Sequence, residues 1–223
     1  MKERSIRIIG IVLAVTALLA VTMTEQFLRP GYLVKSIVKF GTFLGAILLY
    51  TAVAKKKIFE VIRLKKLKKA GILFVSIFIF FAGIAGLFFL LKGKMDLNVI
   101  RQSLLEKEQL TKQNCIFAFL YIIVVNSFLE EAFFRGFLFG LFKNKWVGAF
   151  IANILFSAYH IVIIGTWFNP FIFILCISGL VAVGLFLQWL SGKFETIAAS
   201  WLVHASANIA INVIGALIIF EVL

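Results

Sequence analysis

The sequence NSFLEEAFFR, at residues 126–135, places Glu130, Glu131 and Arg135 inside an apolar run that extends from about Cys115 to Phe142. At about 1.5 Å per helical residue, this run is long enough to cross roughly 30 Å of bilayer hydrocarbon. Each charged side chain at the centre of a membrane helix costs about 2.5 to 3.5 kcal/mol on insertion scales. The cluster therefore predicts a functional site inside a membrane, with partners supplied by the protein itself.

The composition of the whole chain predicts an integral membrane protein. Of its 223 residues, 62% are hydrophobic and 15% are charged, and the mean hydropathy is +1.07. The apolar residues are spread over several long runs, and no linker-like segment separates them. We therefore expect one all-α, polytopic bundle of transmembrane helices.

The formal net charge of +13 points to the lipid bilayer as partner, and not to nucleic acid. The Lys and Arg residues stand in short segments between apolar runs, where they set topology and meet anionic headgroups. The two cysteines, Cys115 and Cys176, have no metal-type spacing, so they do not indicate a redox compartment.

The lengths of the apolar runs predict about seven spans, with a range of six to eight. Residues 1–114 are expected to hold the N-terminal spans with basic and amphipathic interfacial segments, and residues 115–223 a catalytic helical core. The expected spans are 8–23, 33–54, 70–91, 115–142, 146–168, 171–189 and 196–223, the last being long enough to be tilted or broken.

Two polar segments are predicted to lie at the membrane surface. Residues 55–69 contain eight Lys or Arg and one Glu, and we expect a helix resting on the cytoplasmic leaflet. Residues 92–114 are expected to form an interfacial amphipathic helix, because apolar residues recur there at helical spacing: Leu97, Ile100, Leu104 and Leu105.

The basic residues also bear on orientation. Lys35 and Lys39, near one end of the second span, are expected to extend their ammonium groups to the interface. The distribution of charge favours a cytoplasmic N-terminus, but five basic residues between Lys92 and Lys112 then fall on the outside.

The spacing within the acidic motif suggests a division of roles. On a helix, Glu131 and Arg135 are four residues apart and face each other, so they are predicted to form a buried ion pair. Glu130 points about 100° away and has no cationic partner on its own helix, which suits a general base. The alternative is a purely architectural ion pair, with Glu130 paired elsewhere.

The only two histidines both lie in apolar runs. His160 shares a helical face with Asn153 and Ser157, and a lone histidine there is more commonly a packing residue.

His204 belongs to a polar stripe with Ser200, Asn208 and Asn212. We expect Ser200 and Asn212 to make interhelical hydrogen bonds. His204 and Asn208 are assigned to the site, because polar groups on three helices are best satisfied by meeting one another.

Three motifs occur in order: Glu-Glu-x-x-x-Arg at 130–135, Phe-x-x-x-His at 156–160 and His-x-x-x-Asn at 204–208. In this the sequence resembles the CPBP or Abi family of intramembrane proteases, which includes the type II CAAX prenyl endopeptidases. The resemblance covers about residues 115–215 and leaves out the first three spans. It implies a helical core with a hydrated cavity that opens toward one leaflet.

The resemblance also implies roles for the residues of the motifs. Glu130 would be the base, His160 its partner in orienting a water molecule, and His204 with Asn208 the oxyanion-stabilising pair, supported by Glu131 and Arg135. No cofactor is required by this scheme. A zinc version with Glu130, His160 and His204 as ligands is left open, although the sequence has no His-Glu-x-x-His motif.

The expected function is therefore hydrolysis of a peptide bond in a membrane-associated peptide or protein, which is prenylated for some family members. The cationic chain suits a bacterial plasma membrane. The alternative is a non-catalytic membrane partner, such as a bacteriocin-immunity or sensor-regulating protein. An ion or proton transporter is less favoured, because the sequence shows no inverted repeat.

Overall fold

The computed structural model describes residues 2–67, 71–164 and 168–223, and most of these residues are helical, with no strand among them. This confirms the prediction of an all-α polytopic bundle. The helices are α1 (Glu3–Met23), α2 (Tyr32–Ala54), α3 (Ile58–Val61), α4 (Gly71–Leu91), α5 (Leu97–Gln102), α6 (Cys115–Leu138), α7 (Lys145–Ile164), α8 (Pro170–Lys193) and α9 (Ile197–Ile219).

Six of these helices are long and apolar enough to cross a membrane: α1 with its extension to Leu28, α2, α4 with its extension to Lys94, α6, α8 and α9. The 20-residue helix α7 runs among them, so about seven spans is compatible with the structure. The last span, expected to be tilted or broken, is one continuous helix of 23 residues.

Aromatic packing joins α2 to α6 and α7 at the level of the acidic motif. Phe43 of α2 is fully buried and stacks on Phe133 of α6, with ring centroids 3.9 Å apart and planes inclined by 12°. Phe134, Phe156 and Tyr159 surround this pair in the same apolar cluster. The N-terminal helices therefore share one core with the helix that carries the two glutamates.

The segment expected to be a surface helix at 55–69 is, in its described part (residues 55–67), a mostly non-helical connection with two buried residues at its centre. Only Ile58–Val61 is helical, and Arg63 has a left-handed backbone with φ 57°. Val61 and Ile62 are 7% and 5% exposed, so their side chains are packed inside the protein and do not face lipid. The carbonyl of Arg63 accepts a hydrogen bond from the Ile197 N–H at 3.1 Å, which ties the segment to α9.

A glycine in α6 explains why this connection can lie so deep. A Cβ atom placed on Gly136 would stand 2.6 Å from the carbonyl oxygen of Ile62 and 2.7 Å from its Cα. Contacts this short are not tolerated by real Cβ atoms, so only glycine allows the two backbones to approach. The expectation of a lipid-facing helix was wrong. It rested on the apolar residues of the segment, whereas the contact between the Ile62 backbone and Gly136 decides where the segment lies.

The helix expected at 92–114 is shorter than predicted and lies against protein. It begins after Asp96, whose side chain accepts hydrogen bonds from the N–H groups of Asn98 and Val99. It continues as a π-helical turn to Lys107. Ile100 and Leu104 are buried against the ends of α6 and α9, which closes that end of the bundle.

The fold also bears on the conflict over orientation. Successive spans alternate in direction, so twelve of the described Lys and Arg residues lie at the end of the bundle that carries the N-terminus, and six lie at the other end. This bias favours a cytoplasmic N-terminus. At the opposite end, Arg101 and Lys112 both pair with Glu221, just beyond α9.

We expect Gly136→Ala to lower the melting temperature of the detergent-solubilised protein, because the added methyl group would collide with the Ile62 backbone. Overpacking of this kind costs about 1 to 3 kcal/mol. Gly140→Ala is the matched control, since nothing lies within 4 Å of a Cβ atom at that position. Equal melting temperatures for the two variants would contradict the close packing of α6 on the connection.

Candidate active site

Glu131 and Arg135 form the ion pair that their spacing predicts. The Arg135 Nη1 lies 3.1 Å from the Glu131 Oε1, and both side chains are fully buried. The guanidinium lies 4.0 Å from the centre of the Phe156 ring, and its Nη2 donates to the Oδ1 of Asn153 at 3.5 Å. An arginine is stable at this depth because a carboxylate, an amide and an aromatic face all surround it.

Glu130 also has a cationic partner, which comes from another helix. The Nζ of Lys39 donates to the Glu130 Oε1 at 2.5 Å, and the Asn126 Nδ2 donates to the same oxygen at 3.1 Å. Lys39 is only 7% exposed and Glu130 only 2%. The expectation that Lys39 extends to the interface was therefore wrong. A carboxylate at the same depth satisfies the ammonium without a path to water.

Lys35, one turn earlier on α2, is likewise buried and does not reach the interface as expected. Its Nζ lies 2.8 Å from the Glu25 Oε2 and 2.8 Å from the Glu108 Oε1. Burial raises the pKa of the Glu108 carboxyl, while the hydrogen bond from Lys35 opposes that shift. The two lysines thus occupy one face of α2, but they pair with different acids.

His204 links the two glutamates. Its Nδ1 lies 2.9 Å from the Glu131 Oε1, and its Nε2 lies 3.6 Å from the Glu130 Oε2. Because an ionised carboxylate only accepts hydrogen bonds, we assign the ring proton to Nδ1. The Nε2 of the neutral ring then carries a lone pair, and it becomes a donor only when the ring is doubly protonated.

His160 lies near the same site and has the same tautomer. Its Nδ1 is 2.8 Å from the carbonyl oxygen of Phe156, which can only accept, so Nδ1 donates and Nε2 is left with a lone pair. The rings of His160 and His204 both pack on Phe156, at centroid distances of 4.5 Å and 5.9 Å. The two imidazoles are therefore on the same side of the bundle.

Asn208 joins α9 to α6, since its Nδ2 donates to the carbonyl oxygen of Ile122 at 3.3 Å. One hydrogen of the amide is thereby used and the other is available. Ser200 and Asn212 were expected to make interhelical hydrogen bonds. Ser200 donates to the Ile197 carbonyl of its own helix, and its side chain also interacts with Glu131 on α6. Asn212 donates to the Asn208 carbonyl of its own helix. A backbone carbonyl one turn away is thus a partner of both side chains, and Ser200 in addition contacts a second helix.

The helix that carries the motif is irregular around the glutamates. Two π-helical turns, Ile122–Asn126 and Glu131–Leu138, flank the α-helical turn Ser127–Glu130. Such turns are frequent at functional sites, because they rotate the side chains that follow. The Nε1 of Trp201 donates to the Ser127 hydroxyl at 3.1 Å, which holds this turn against α9.

The two cavities that are described, of about 590 Å³ and 250 Å³, are lined by other residues, and no residue of the three motifs borders them. The expected hydrated cavity is therefore not among them. The least buried polar groups at the site are Asn126, His160 and Asn208, so a substrate would approach Glu130 from their side.

The arrangement does not fit a zinc site. Among the described residues, no three His, Cys, Asp or Glu side chains are placed so that they could hold a metal ion. The ammonium of Lys39 already occupies one oxygen of Glu130, where it would repel a second cation. The alternative ligand set of Glu130, His160 and His204 is therefore not assembled as metal ligands.

Residues 112–210 match the family described as Type II CAAX prenyl endopeptidase Rce1-like. Through this region the chain is similar to that family, which supports the resemblance that the three motifs carry. The matched residues contain all three motifs, and together with the six apolar helices the match supports an integral membrane protein that is similar to a peptidase family. The match gives no support to a role in bacteriocin immunity. No curated protein and no solved structure matches the chain.

Two polar partners of Glu130, Asn126 and Lys39, were not predicted from the sequence. Asn126 stands four residues before Glu130, so its spacing alone could have indicated the contact. Lys39 lies on α2, outside the matched region, 91 residues away. The only feature of the sequence that indicated a buried role for Lys39 was its position, with Lys35, on one face of an apolar helix.

We expect Arg135→Met to destabilise the folded protein by about 3 to 5 kcal/mol, because it leaves a buried carboxylate without its cation. The measurement is the free energy of unfolding in mixed micelles. Arg7→Met is the matched control: Arg7 pairs with Glu3 at the same spacing, but that pair is partly exposed, at 26% and 75%. There the loss should stay below about 1 kcal/mol. Similar losses for both variants would contradict the buried pair.

Proposed function

We propose that this protein is an intramembrane endopeptidase that hydrolyses a peptide bond of a membrane-associated peptide or protein, with Glu130 as the general base. One observation carries the proposal: the Glu130 Oε2 lies 3.6 Å from the His204 Nε2 inside an apolar bundle. The two residues belong to the first and third motifs of a peptidase family, and His160 of the second motif packs on the same phenylalanine as His204.

In the first step, a water molecule attacks the scissile carbonyl carbon and gives one proton to the Oε2 of Glu130. The other oxygen of Glu130 is engaged by Lys39 and Asn126, so Oε2 is the atom left to accept it. The Nε2 lone pair of His160 accepts a hydrogen bond from the second hydrogen of the water. This fixes the direction of the attack.

The tetrahedral intermediate carries a negatively charged oxygen, which hydrogen-bond donors must stabilise. We assign this role to the free amide hydrogen of Asn208 and to the Nε2 of His204 in its doubly protonated form, since Nδ1 is committed to Glu131. Glu130 then returns its proton to the amide nitrogen, the C–N bond breaks, and an amine and a carboxyl product form. Arg135 supports the step by holding Glu131 beside His204.

The proposed substrate class comes from the matching family, whose description names a CAAX prenyl endopeptidase. A farnesylated, internally quenched CAAX peptide in proteoliposomes is therefore the first probe. The same peptide without the lipid tests whether prenylation is required. A lipid-bearing substrate suits a site that lies within membrane helices, because the lipid partitions into the same layer.

We expect Glu130→Gln to reduce cleavage of the farnesylated peptide by about 10² to 10⁴-fold, since it removes the base and preserves the shape. The assay follows fluorescence release at neutral pH. Glu106→Gln, at an exposed position, is the control and should retain full activity. Full cleavage by a folded Glu130→Gln variant would reject hydrolysis by this carboxylate. It would favour a non-catalytic membrane partner.

Asn208→Ala should lower kcat by about 10² to 10³-fold with little change in KM, because an oxyanion donor acts mainly in the transition state. Asn212→Ala is the matched control, one turn further along the same face of α9 and bonded only to the Asn208 carbonyl in the described structure. Equal effects of the two substitutions on kcat would show that Asn208 serves packing alone.

A further inference from the structure

α2 lies outside the region that matches the peptidase family, yet it supplies the shortest described contact to the proposed base. Lys39 reaches the Glu130 Oε1 at 2.5 Å across 91 residues of sequence. Nothing in the three motifs requires a lysine at this place. All other residues of the site come from the matched region. Lys39 is therefore a member of the site that the family match does not explain.

The ammonium group of Lys39 is held on several sides. Phe43, one turn further along α2, stacks on Phe133 and meets the edge of Phe134, which fixes α2 against α6. The Nζ lies 4.7 Å from the centre of the Tyr159 ring on α7, within the range of a cation–π contact. A lysine with these neighbours is a fixed donor and not a mobile counter-ion.

The two donors to Glu130 act on the same oxygen. Lys39 and Asn126 both bind Oε1, and this leaves Oε2 turned toward the Nε2 of His204 at 3.6 Å. A carboxylate held by one donor could rotate about the bond that joins it to the side chain. Two donors to one oxygen, one from α2 and one from α6, fix the plane of the Glu130 carboxylate. The orientation of the reacting oxygen thus depends on a residue of α2.

We propose that Lys39 is a positioning residue of the hydrolytic site, which holds Glu130 so that Oε2 faces the reacting water. The inference rests on the proposed function. Lys39 itself does not touch the substrate; it acts through Glu130. The other titratable or charged groups that interact with Glu130 in the described structure are His160, His204, Arg135, Tyr121 and Tyr159.

The kinetic test compares two lysines of the same helix face. Lys39→Met should lower kcat for the farnesylated CAAX peptide by about 10²-fold and leave KM nearly unchanged, because misplacement of a reacting group by about 1 Å has an effect of this size. Lys39→Arg should recover a large part of the loss, since a guanidinium can donate to the same oxygen. Lys35→Met, which breaks the contacts with Glu25 and Glu108, should retain kcat.

A second measurement does not depend on the substrate. Melting temperatures of Lys39→Met, Glu130→Gln and the double variant form a cycle, and the double variant should lose less than the sum of the two single losses. The same cycle with Lys35→Met in place of Lys39→Met should be additive. If Lys39→Met does not assemble, Lys39→Leu, which also lacks a donor, replaces it in both measurements.

The outcomes separate the two proposals. Wild-type kcat in Lys39→Met, together with an inactive Glu130→Gln, would overturn the role of Lys39 and leave the peptidase proposal standing. Cleavage by Glu130→Gln, or none by the wild-type protein, would count against the peptidase proposal instead. If, in addition, the losses in melting temperature of Lys39→Met and Glu130→Gln simply add in the double variant, the pairing on which the positioning role depends is also overturned.

Discussion

The structure depends on the neutralisation of four charges inside an apolar bundle. Two carboxylates, Glu130 and Glu131, stand next to each other on α6, and each has its own cation: Lys39 from α2 and Arg135 from the next turn. Desolvating one such ion costs several kcal/mol, and removing one partner leaves that cost uncompensated. The two pairs therefore constrain α2 and α6 to one relative position, and the aromatic stack of Phe43 on Phe133 forms at the same level.

The local part of this arrangement could be read from the sequence, and the long-range part could not. The Glu131–Arg135 pair follows from a spacing of four residues on one helix. The spans follow from the lengths of the apolar runs, because a bilayer sets the length of a crossing helix. The partner of Glu130 lies on another helix, and no spacing rule connects α2 to α6. Lys39 reaches a buried carboxylate, a third environment besides lipid and water that the sequence does not indicate.

The same limit explains the other differences. Residues 55–67 have the composition of a surface helix, but the missing side chain of Gly136 lets the Ile62 backbone lie against α6. The sequence marks Gly136 only as one glycine among sixteen. The tautomers of His160 and His204 were also beyond the sequence, since a backbone carbonyl fixes one and Glu131 fixes the other. In each case the deciding contact is tertiary.

Charge balance also bears on how such a site could react without water around it. With His204 doubly protonated, as its proposed oxyanion role requires, Lys39, Arg135 and His204 stand against two glutamates, and the site carries one net positive charge. When Glu130 takes a proton from water in the proposed reaction, its negative charge moves to the oxygen of the tetrahedral intermediate nearby. The net charge of the buried site does not change during this step, so a medium of low dielectric constant does not oppose it as it would oppose the creation of a new ion. A divalent metal would instead add two charges to a site whose two carboxylates Lys39 and Arg135 already balance.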